Sequence, residues 1–196
     1  MKLILVRHGE TEWNVTHRIQ GRSDIPLNKK GKEQARKVAL RLKSEPIDII
    51  YCSNMKRARQ TAAEIRKFHD VPVEYSEFIR EKSFGKTEGM YREEYRKLRE
   101  GSGLPYHLFR PPKGENYVDV SKRVRKFLAF LKRKHGKETI LIVSHGGIIR
   151  TIITILSEKP LENILELEQH NAAINMIELR RGLPLKVHYL NSTEHL

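Results

Sequence analysis

The chain has 196 residues, which is enough for one domain with a hydrophobic core. Its net charge of +14 favours anionic partners, such as nucleic acid, an anionic surface or small anionic substrates. A single cysteine excludes an internal disulfide, and no stretch approaches the roughly 20 apolar residues of a membrane span. We therefore expect a cytoplasmic protein that does not enter the membrane.

Apolar runs alternate with helically spaced apolar stripes along the chain. Strands are predicted near 2–6, 47–51, 71–75, 139–144, 173–179 and 185–190, and helices around 35–42, 58–65, 91–100, 118–134 and 147–157. This alternation predicts an α/β fold, a three-layer α/β/α sandwich with a mostly parallel central sheet and helices on both faces.

The Gly- and Pro-rich stretch 101–117 interrupts this pattern. Together with the helix before it, it predicts a lid-like excursion around 82–117 within a single domain over 1–196. An ordinary surface connection is the alternative interpretation.

A strongly basic stretch covers residues 122–137, with eight Lys or Arg and no acidic residue. Apolar residues at helical spacing run through it, which predicts an amphipathic helix. We favour a solvated outer face over a nucleic-acid-binding surface for its basic side.

Two predicted strands end in the same way. Residues 3–9 read LILVRHG and residues 140–147 read ILIVSHGG. Ligands bind at the carboxyl ends of strands in open α/β sheets, so both histidines are placed at one sheet edge. A histidine with a free ring nitrogen can attack a phosphoryl group, and the group's charge requires fixed cations.

Two arginines and two glycines near these strand ends complete the pattern. Arg7 precedes the first histidine, and Arg57 follows the strand 47–51 at the start of a helix, whose N-terminus adds backbone amides to an anion site. Gly146 and Gly147 leave the backbone open for close approach of a ligand.

The ensemble of motifs resembles the histidine phosphatase superfamily, the phosphoglycerate mutase-like family of phosphatases and mutases. The matching segments are RHGETEWN, QGRSDIPLNKKGKEQA, SNMKRARQTA, IREKSFGKTEG and VSHGGIIR, in order from about residue 2 to residue 178. The sequence departs from the family pattern at Thr87, where a tryptophan is usual, and at Asn116, where a serine is common.

The resemblance implies a role for each matching position. His8 is the implied nucleophile, which becomes phosphohistidine, and Glu81 is the acid that protonates the leaving oxygen and then activates water. The implied charged pocket for the phosphoryl group consists of Arg7, Arg57 and His145. Its phosphate or substrate side is implied to be lined by Asn14, Gln20, Gly21 and Gly146.

The resemblance also implies the reaction. Only about 64 residues separate Glu81 from His145, which resembles the compact phosphatases of the family. We therefore expect a histidine acid phosphatase-type phosphomonoester hydrolase that acts on small phosphorylated metabolites, without metal or organic cofactor.

Two alternatives stay open, a cofactor-dependent phosphoglycerate mutase and a non-catalytic polyanion-binding protein on the same scaffold. Nucleic acid is disfavoured as a partner, because aromatic-rich basic motifs of the RNA-recognition type are absent from the sequence. A homodimer is compatible with this assignment.

Overall fold

The computed structural model of the protein describes residues 1–180 and 182–196. Six strands form one sheet, and their bounds are β1 Lys2–Arg7, β2 Ile49–Ser53, β3 Val73–Ser76, β4 Thr139–Ser144, β5 Ile174–Glu178 and β6 Lys186–Ser192. The α-helices are α1 Glu12–Val15, α2 Lys29–Leu42, α3 Lys56–Arg66, α4 Arg92–Glu100, α5 Tyr117–Lys134 and α6 Gly146–Leu156. Short 3₁₀ helices cover Glu77–Ile79, Gly85–Thr87 and Leu161–Leu165.

The sheet is mixed but mostly parallel, with the strand order β3-β2-β4-β1-β5-β6. β1 pairs in parallel with β4, β4 with β2, and β2 with β3, whereas β5 is antiparallel to both β1 and β6. The predicted α/β fold is confirmed. Because β1 and β4 are direct neighbours, the two His-bearing strand ends lie side by side.

Alternate residues of β1 point into two separate cores, one on each face of the sheet. Leu3 and Leu5 pack with residues of α5 and α6, while Ile4 and Val6 pack with residues of α2 and α3. These four side chains are fully buried. A one-residue slip of β1 would exchange the two sets, so burial fixes the register that brings Arg7 to the edge.

Some predicted boundaries differ from the structure. The second strand begins at Ile49 rather than at 47, because the amide of Ile47 bonds the carbonyl of Glu45 in a turn (2.8 Å). The short helix α1 lacks an apolar stripe and was not predicted. It forms because Thr11 and Asn14 make a capping box.

The basic stretch forms most of α5, as its apolar spacing predicts. Val120, Val124 and Leu131 are fully buried on its inner side, whereas Lys122 and Arg125 are exposed. Asn116, at the position where the family commonly has serine, caps this helix by accepting a hydrogen bond from the Asp119 amide (3.0 Å).

The segment between β3 and β4 reaches over the carboxyl edge of the sheet before α5 returns the chain. Aromatic rings hold it together, since Tyr95 packs edge-on against Phe84 (centroids 5.2 Å apart) and Phe109 (5.8 Å). Phe84, Arg92 and Tyr106 from this segment line a cleft above the sheet edge. Within the described ranges, no helix has the length and apolar character needed to span a membrane.

Candidate active site

His8 and His145 meet at the carboxyl edge of the sheet, where the sequence places them. The amide of His8 donates to the Ser144 carbonyl (3.0 Å), which extends the β1–β4 ladder by one residue. The two imidazole rings are edge-on, with centroids 5.2 Å apart. Both side chains are buried, so their contacts are set by the fold.

The hydrogen bonds of His8 define which nitrogen is free. Its Nδ1 lies 2.7 Å from the Gly9 carbonyl oxygen, which accepts hydrogen bonds only. Nδ1 therefore carries the proton, and Nε2 keeps its lone pair. The Asn171 side chain donates to the carbonyls of His8 and Gly9, at 3.3 Å each, and fixes the backbone behind the ring.

Burial lowers the pKa of His8 well below its usual value, and the positive charges of Arg57 and Arg7 lower it further. The ring is therefore neutral at physiological pH. A neutral imidazole with a fixed tautomer is the form that acts as a nucleophile.

Arg57 is fully buried and is held by neutral acceptors. Its terminal nitrogens donate to the carbonyls of Ser23 (2.8 Å) and Gly21 (2.7 Å), and its Nε donates to Nδ1 of His145 (3.3 Å). Desolvation lowers the pKa of Arg57 to about 10, which leaves it charged at neutral pH. With no carboxylate bonded to it, the charge is available to an anion in the cleft.

Arg7 is anchored in a similar way at the other side of His8. One terminal nitrogen donates to the Gln169 carbonyl, while the buried Nε has no hydrogen-bond partner. Burial lowers the pKa of Arg7 to about 10, so it too is a cation at neutral pH. This Nε lies close to Gly146, where a Cβ would be 3.5 Å from it, and the Arg7 side chain lines the cleft together with His8.

His145 is fully buried behind His8 and is absent from the residues that line the cleft. Its Nδ1 accepts from Arg57, so its Nε2 carries the proton and donates to Oγ of Ser53 (2.8 Å). Burial and Arg57 hold the pKa of His145 well below its usual value, so the ring is neutral in this structure. Its contacts position Arg57.

Glu81 reaches the same edge from the segment after β3. One carboxylate oxygen accepts from the Gly147 amide (3.2 Å) at the start of α6, and the other accepts from the Lys82 amide (2.8 Å). Gly147 is required for this contact, because a Cβ there would lie 2.5 Å from Oε1 of Glu81 and 2.9 Å from the Tyr117 hydroxyl. The carboxylate therefore lines the cleft together with His8.

The remaining predicted residues, Asn14, Gln20, Gly21 and Gly146, all line the same cleft, which has a volume of about 520 Å³. Gly21 has a φ of +52°, and a Cβ there would lie 2.3 Å from Oε1 of Glu88. The buried Oε1 of Gln20 lacks a partner and is an acceptor facing this region.

Two helices begin at the cleft. The first amide of α3, at Lys56, donates to Oδ1 of Asp24 (2.7 Å), while the next residue, Arg57, lines the cleft. Gly146 and Gly147 line it at the start of α6.

Several cleft residues were missed by the sequence analysis: Arg18, Arg92, Tyr106, Arg150, Gln169, His170 and Asn171. They come from α4, α6, the loop between α1 and α2, the loop before α5 and the loop before β5, and none follows an apolar strand run. The side chain of His170 is exposed in the cleft. Of these residues, only Arg150 in VSHGGIIR could have been predicted to lie in the cleft, because it follows Gly147 by one helical turn.

Lys82, next to Glu81, is fully buried among aromatic rings. Its Nζ lies 4.6 Å from the centroid of Phe84 and 5.0 Å from that of Tyr117, and 3.4 Å from the Tyr95 hydroxyl. Desolvation lowers the pKa of Lys82 to about 8, and Glu81 and Glu115 partly offset this. Lys82 directly follows Glu81, so the packing of its buried side chain fixes the start of the segment that lies above the cleft.

Among the residues that the structure describes, no group of three or more His, Cys, Asp or Glu side chains is placed to hold a metal ion.

Comparison with known proteins identifies the family. Residues 3–192 match the model of the histidine phosphatase superfamily (branch 1). The chain is 34% identical over 206 residues to phosphoserine phosphatase 1 of Hydrogenobacter thermophilus, covering 100% of this chain and 94% of that protein.

Solved structures agree. A phosphoserine phosphatase mutant from Entamoeba histolytica in complex with phosphoserine is 35% identical, with a TM-score of 0.86 over 100% of this chain and 98% of that one. Bacillus stearothermophilus YhfR is 31% identical, with a TM-score of 0.89 over 99% and 98% of the two chains.

The chain therefore belongs to the histidine phosphatase superfamily. Within it, the protein is a phosphatase of small phosphorylated metabolites, and the predicted family and activity are confirmed.

Gly147→Ala tests the placement of Glu81. The added methyl displaces the carboxylate, so we expect kcat for alkyl phosphates to fall by about 10²-fold or more, because proton transfer to the leaving oxygen is lost. Gly136→Ala is the matched control, since nothing lies within 4 Å of a Cβ there. Steady-state kinetics measure both, and equal rates in the two variants would contradict the placement.

Lys82→Met tests the buried ammonium through the pH dependence of stability. The lowered pKa means that the folded protein loses this proton before the unfolded chain does, so the unfolded chain binds more protons between about pH 8 and 10.5. Over that window the wild type should gain up to about 3 kcal/mol of unfolding free energy relative to Lys82→Met. Urea titrations at pH 7 and pH 10.5 measure the difference. The exposed Lys86→Met is the control and should show no such gain.

Proposed function

We propose that this chain hydrolyses phosphomonoesters in the manner of histidine acid phosphatases, through a phosphohistidine on His8. The observation that carries the proposal is the free Nε2 of a neutral His8 between the carbonyl-anchored Arg7 and Arg57. Phosphoserine phosphatases of known structure with the same fold support a small phosphorylated metabolite as the substrate.

The first step transfers the phosphoryl group to the enzyme. Nε2 of His8 attacks phosphorus in line, the N–P bond forms and the P–O bond to the leaving group breaks. The leaving oxygen takes a proton from the Glu81 carboxyl group. Arg7 and Arg57 stabilise the charge that spreads over the phosphoryl oxygens.

The second step returns the enzyme to its starting state. Water attacks the phosphohistidine while Glu81, now ionised, takes a proton from it. The P–N bond breaks, phosphate leaves and His8 is again neutral with Nδ1 protonated. His145 acts throughout as a positioning residue, because it holds Arg57 and packs against His8.

We also propose that residues 82–117 act as a lid on a single domain over 1–196. Glu81 adjoins the lid, and Phe84, Arg92 and Tyr106 within it form one wall of the cleft, so its closure would exclude water from the first step. A cytoplasmic location is supported by the single cysteine, Cys52, which is buried at the end of β2 with a raised thiol pKa.

His8→Ala tests the nucleophile. We expect p-nitrophenyl phosphate hydrolysis to fall by at least 10³-fold, because no other group replaces Nε2. Rapid quenching of the wild type with ³²P-labelled substrate should trap an acid-labile, base-stable phosphoenzyme on His8. The control is His188→Ala, on β6, whose ring contacts Glu178 at the end of β5. Label on another residue, or full activity of His8→Ala, would overturn the proposal.

Glu81→Gln tests the proton donor. Alkyl phosphates need a proton on the leaving oxygen, so their kcat should fall by about 10²- to 10⁴-fold. p-Nitrophenolate leaves without one, so p-nitrophenyl phosphate should lose less than tenfold in the transfer step. Glu77→Gln, an exposed neighbour, is the control. Equal losses on both substrates would show that Glu81 is not the acid.

A substrate screen separates hydrolysis from mutase activity. Phosphate release and interconversion of 3- and 2-phosphoglycerate are measured side by side on the same set of phosphorylated metabolites. Phosphate release without interconversion is the expected result.

A further inference from the structure

A groove separate from the cleft lies between β3 and α5, at one side of the sheet. It has a volume of about 470 Å³. This edge groove is lined by aromatic side chains, those of Tyr51, Phe78, Phe127 and Phe130, together with polar residues of β3 and basic residues of α5. Of the residues that the structure describes, none lines both the edge groove and the cleft, so the proposed phosphatase chemistry makes no use of it.

β3 has a strand partner on one side only. It is the last strand in the order of the sheet, and among the described strands it pairs with β2 alone. The carbonyl of Pro72 accepts from an amide of β2 (2.9 Å), and backbone groups alternate in direction along a strand, so Val73 and Tyr75 turn their amides and carbonyls away from β2. A free edge of this kind accepts an extended chain as an additional strand.

Large apolar side chains are exposed beside this free edge. Tyr75 on β3 is 57% exposed, and Phe78, in the 3₁₀ helix that follows β3, is 47% exposed. Phe130 on α5 is only partly buried, and the buried rings of Tyr51 and Phe127 pack edge-on behind it, with centroids 5.6 Å apart. Exposed apolar surface that continues into a groove is typical of an interaction site.

Unpaired cations surround the edge groove. Lys126 and Arg133 are exposed residues of α5 that both line it, about 10 Å apart along the helix axis. Neither side chain makes a hydrogen bond or an ion pair within residues 1–180 and 182–196. On the other face of the sheet, the guanidinium of Arg59 lies 5.4 Å from the centroid of the Tyr75 ring.

The acidic residues near this edge are paired with other cations. Glu74 lines the edge groove and pairs with Lys134 (2.5 Å), and Glu77 pairs with Arg80. The charge left at the groove is therefore positive, and it complements an acidic partner. A second copy of this chain, with its net charge of +14, would instead bring two sets of unpaired cations together.

We propose that the free edge of β3 and the edge groove bind an extended acidic segment of a partner protein. The segment adds a strand to β3, and one of its aromatic or large aliphatic side chains enters the groove beside Phe78 and Phe130. Its carboxylates face Lys126, Arg133 and Arg59. Main-chain hydrogen bonds hold the segment, whereas the groove and the cations select its sequence.

A fluorescein-labelled synthetic peptide tests the chemistry of the partner. It has a central Phe flanked on each side by Val and then by three Glu, and fluorescence anisotropy measures its binding to the wild-type protein. It should bind about tenfold more tightly than the same peptide with Lys in place of every Glu, and about tenfold more tightly than the peptide with Ala in place of Phe. Absence of binding at about 1 mM peptide, or equal binding of all three peptides, overturns the proposal.

Phe78→Glu tests the position of the apolar contact. It should weaken binding of the acidic peptide by about tenfold or more, because it places a carboxylate where the apolar side chain enters. Phe68→Glu is the matched control, since Phe68 is 46% exposed in the turn after α3 and lies outside the groove. Both variants should hydrolyse p-nitrophenyl phosphate at the wild-type rate, which verifies that they are folded. Equal losses of peptide binding in the two variants overturn the proposal.

A pair of double variants tests the cations and decides the question if Phe78→Glu does not fold. Lys126→Glu combined with Arg133→Glu should weaken binding of the acidic peptide by about tenfold or more. Arg125→Glu combined with Lys132→Glu makes the same change in net charge at the same spacing on α5, at exposed positions outside the groove. This control should bind the peptide more tightly than the first double variant by about tenfold, and equal binding by the two overturns the proposal.

Two further measurements test strand addition and self-association. Two peptides, each N-methylated on one alternate set of amides, are compared with the parent peptide. At least one should bind about tenfold more weakly, because its amides cannot donate to β3, and full binding of both overturns the proposal. Sedimentation equilibrium should give the same mass for the wild type and Phe78→Glu. A wild-type dimer that Phe78→Glu dissociates would assign the edge to a second copy and overturn the proposal.

Discussion

The site depends on guanidinium groups that are buried against backbone carbonyls. Arg57 bonds the carbonyls of Gly21 and Ser23, and Arg7 bonds that of Gln169. A carboxylate partner would neutralise these charges, whereas carbonyl oxygens satisfy the N–H groups and leave the positive charge in place. Burial lowers the pKa of His8, and the same positive charge lowers it further, so the ring is neutral. One arrangement thus prepares both the anion site and the nucleophile beside it.

The proposed proton donor, Glu81, belongs to a different part of the chain. Glu81 is fixed by the amide of Gly147, which comes two residues after His145, so the α6 terminus connects the phosphoryl pocket with the segment above the cleft. Lys82 anchors that segment from below through the rings of Phe84 and Tyr117. The buried cation carries a desolvation cost, and the aromatic faces around it offset part of that cost. Positioning of the acid and packing of the covering segment are therefore coupled.

The sequence alone predicted the fold and the centre of the site, because both follow from local patterns. The apolar runs before His8 and His145 indicate buried strands. The carboxyl ends of these strands form the edge of the sheet where the site lies. The residues around the centre were harder to find. Asn171 braces the carbonyl of His8 from a loop more than 160 residues away in the sequence, and Arg92 reaches the cleft only because α4 folds over the edge. The tautomer of His8 depends on the hydrogen bond to the Gly9 carbonyl, and the neutral state of both histidines depends on burial; the order of the residues shows neither.

The ladder between β1 and β4 continues through the amide of His8 to Ser144, so the backbone of His8 is held by two buried neighbouring strands at the centre of the sheet. Backbone amides in such a position exchange with solvent only when the whole domain unfolds. Loops over the cleft can therefore open, close and differ among relatives without changing the position of Nε2 of His8. Residues at the rim of the cleft can change the substrate preference, while the core of the sheet keeps His8 in the same place.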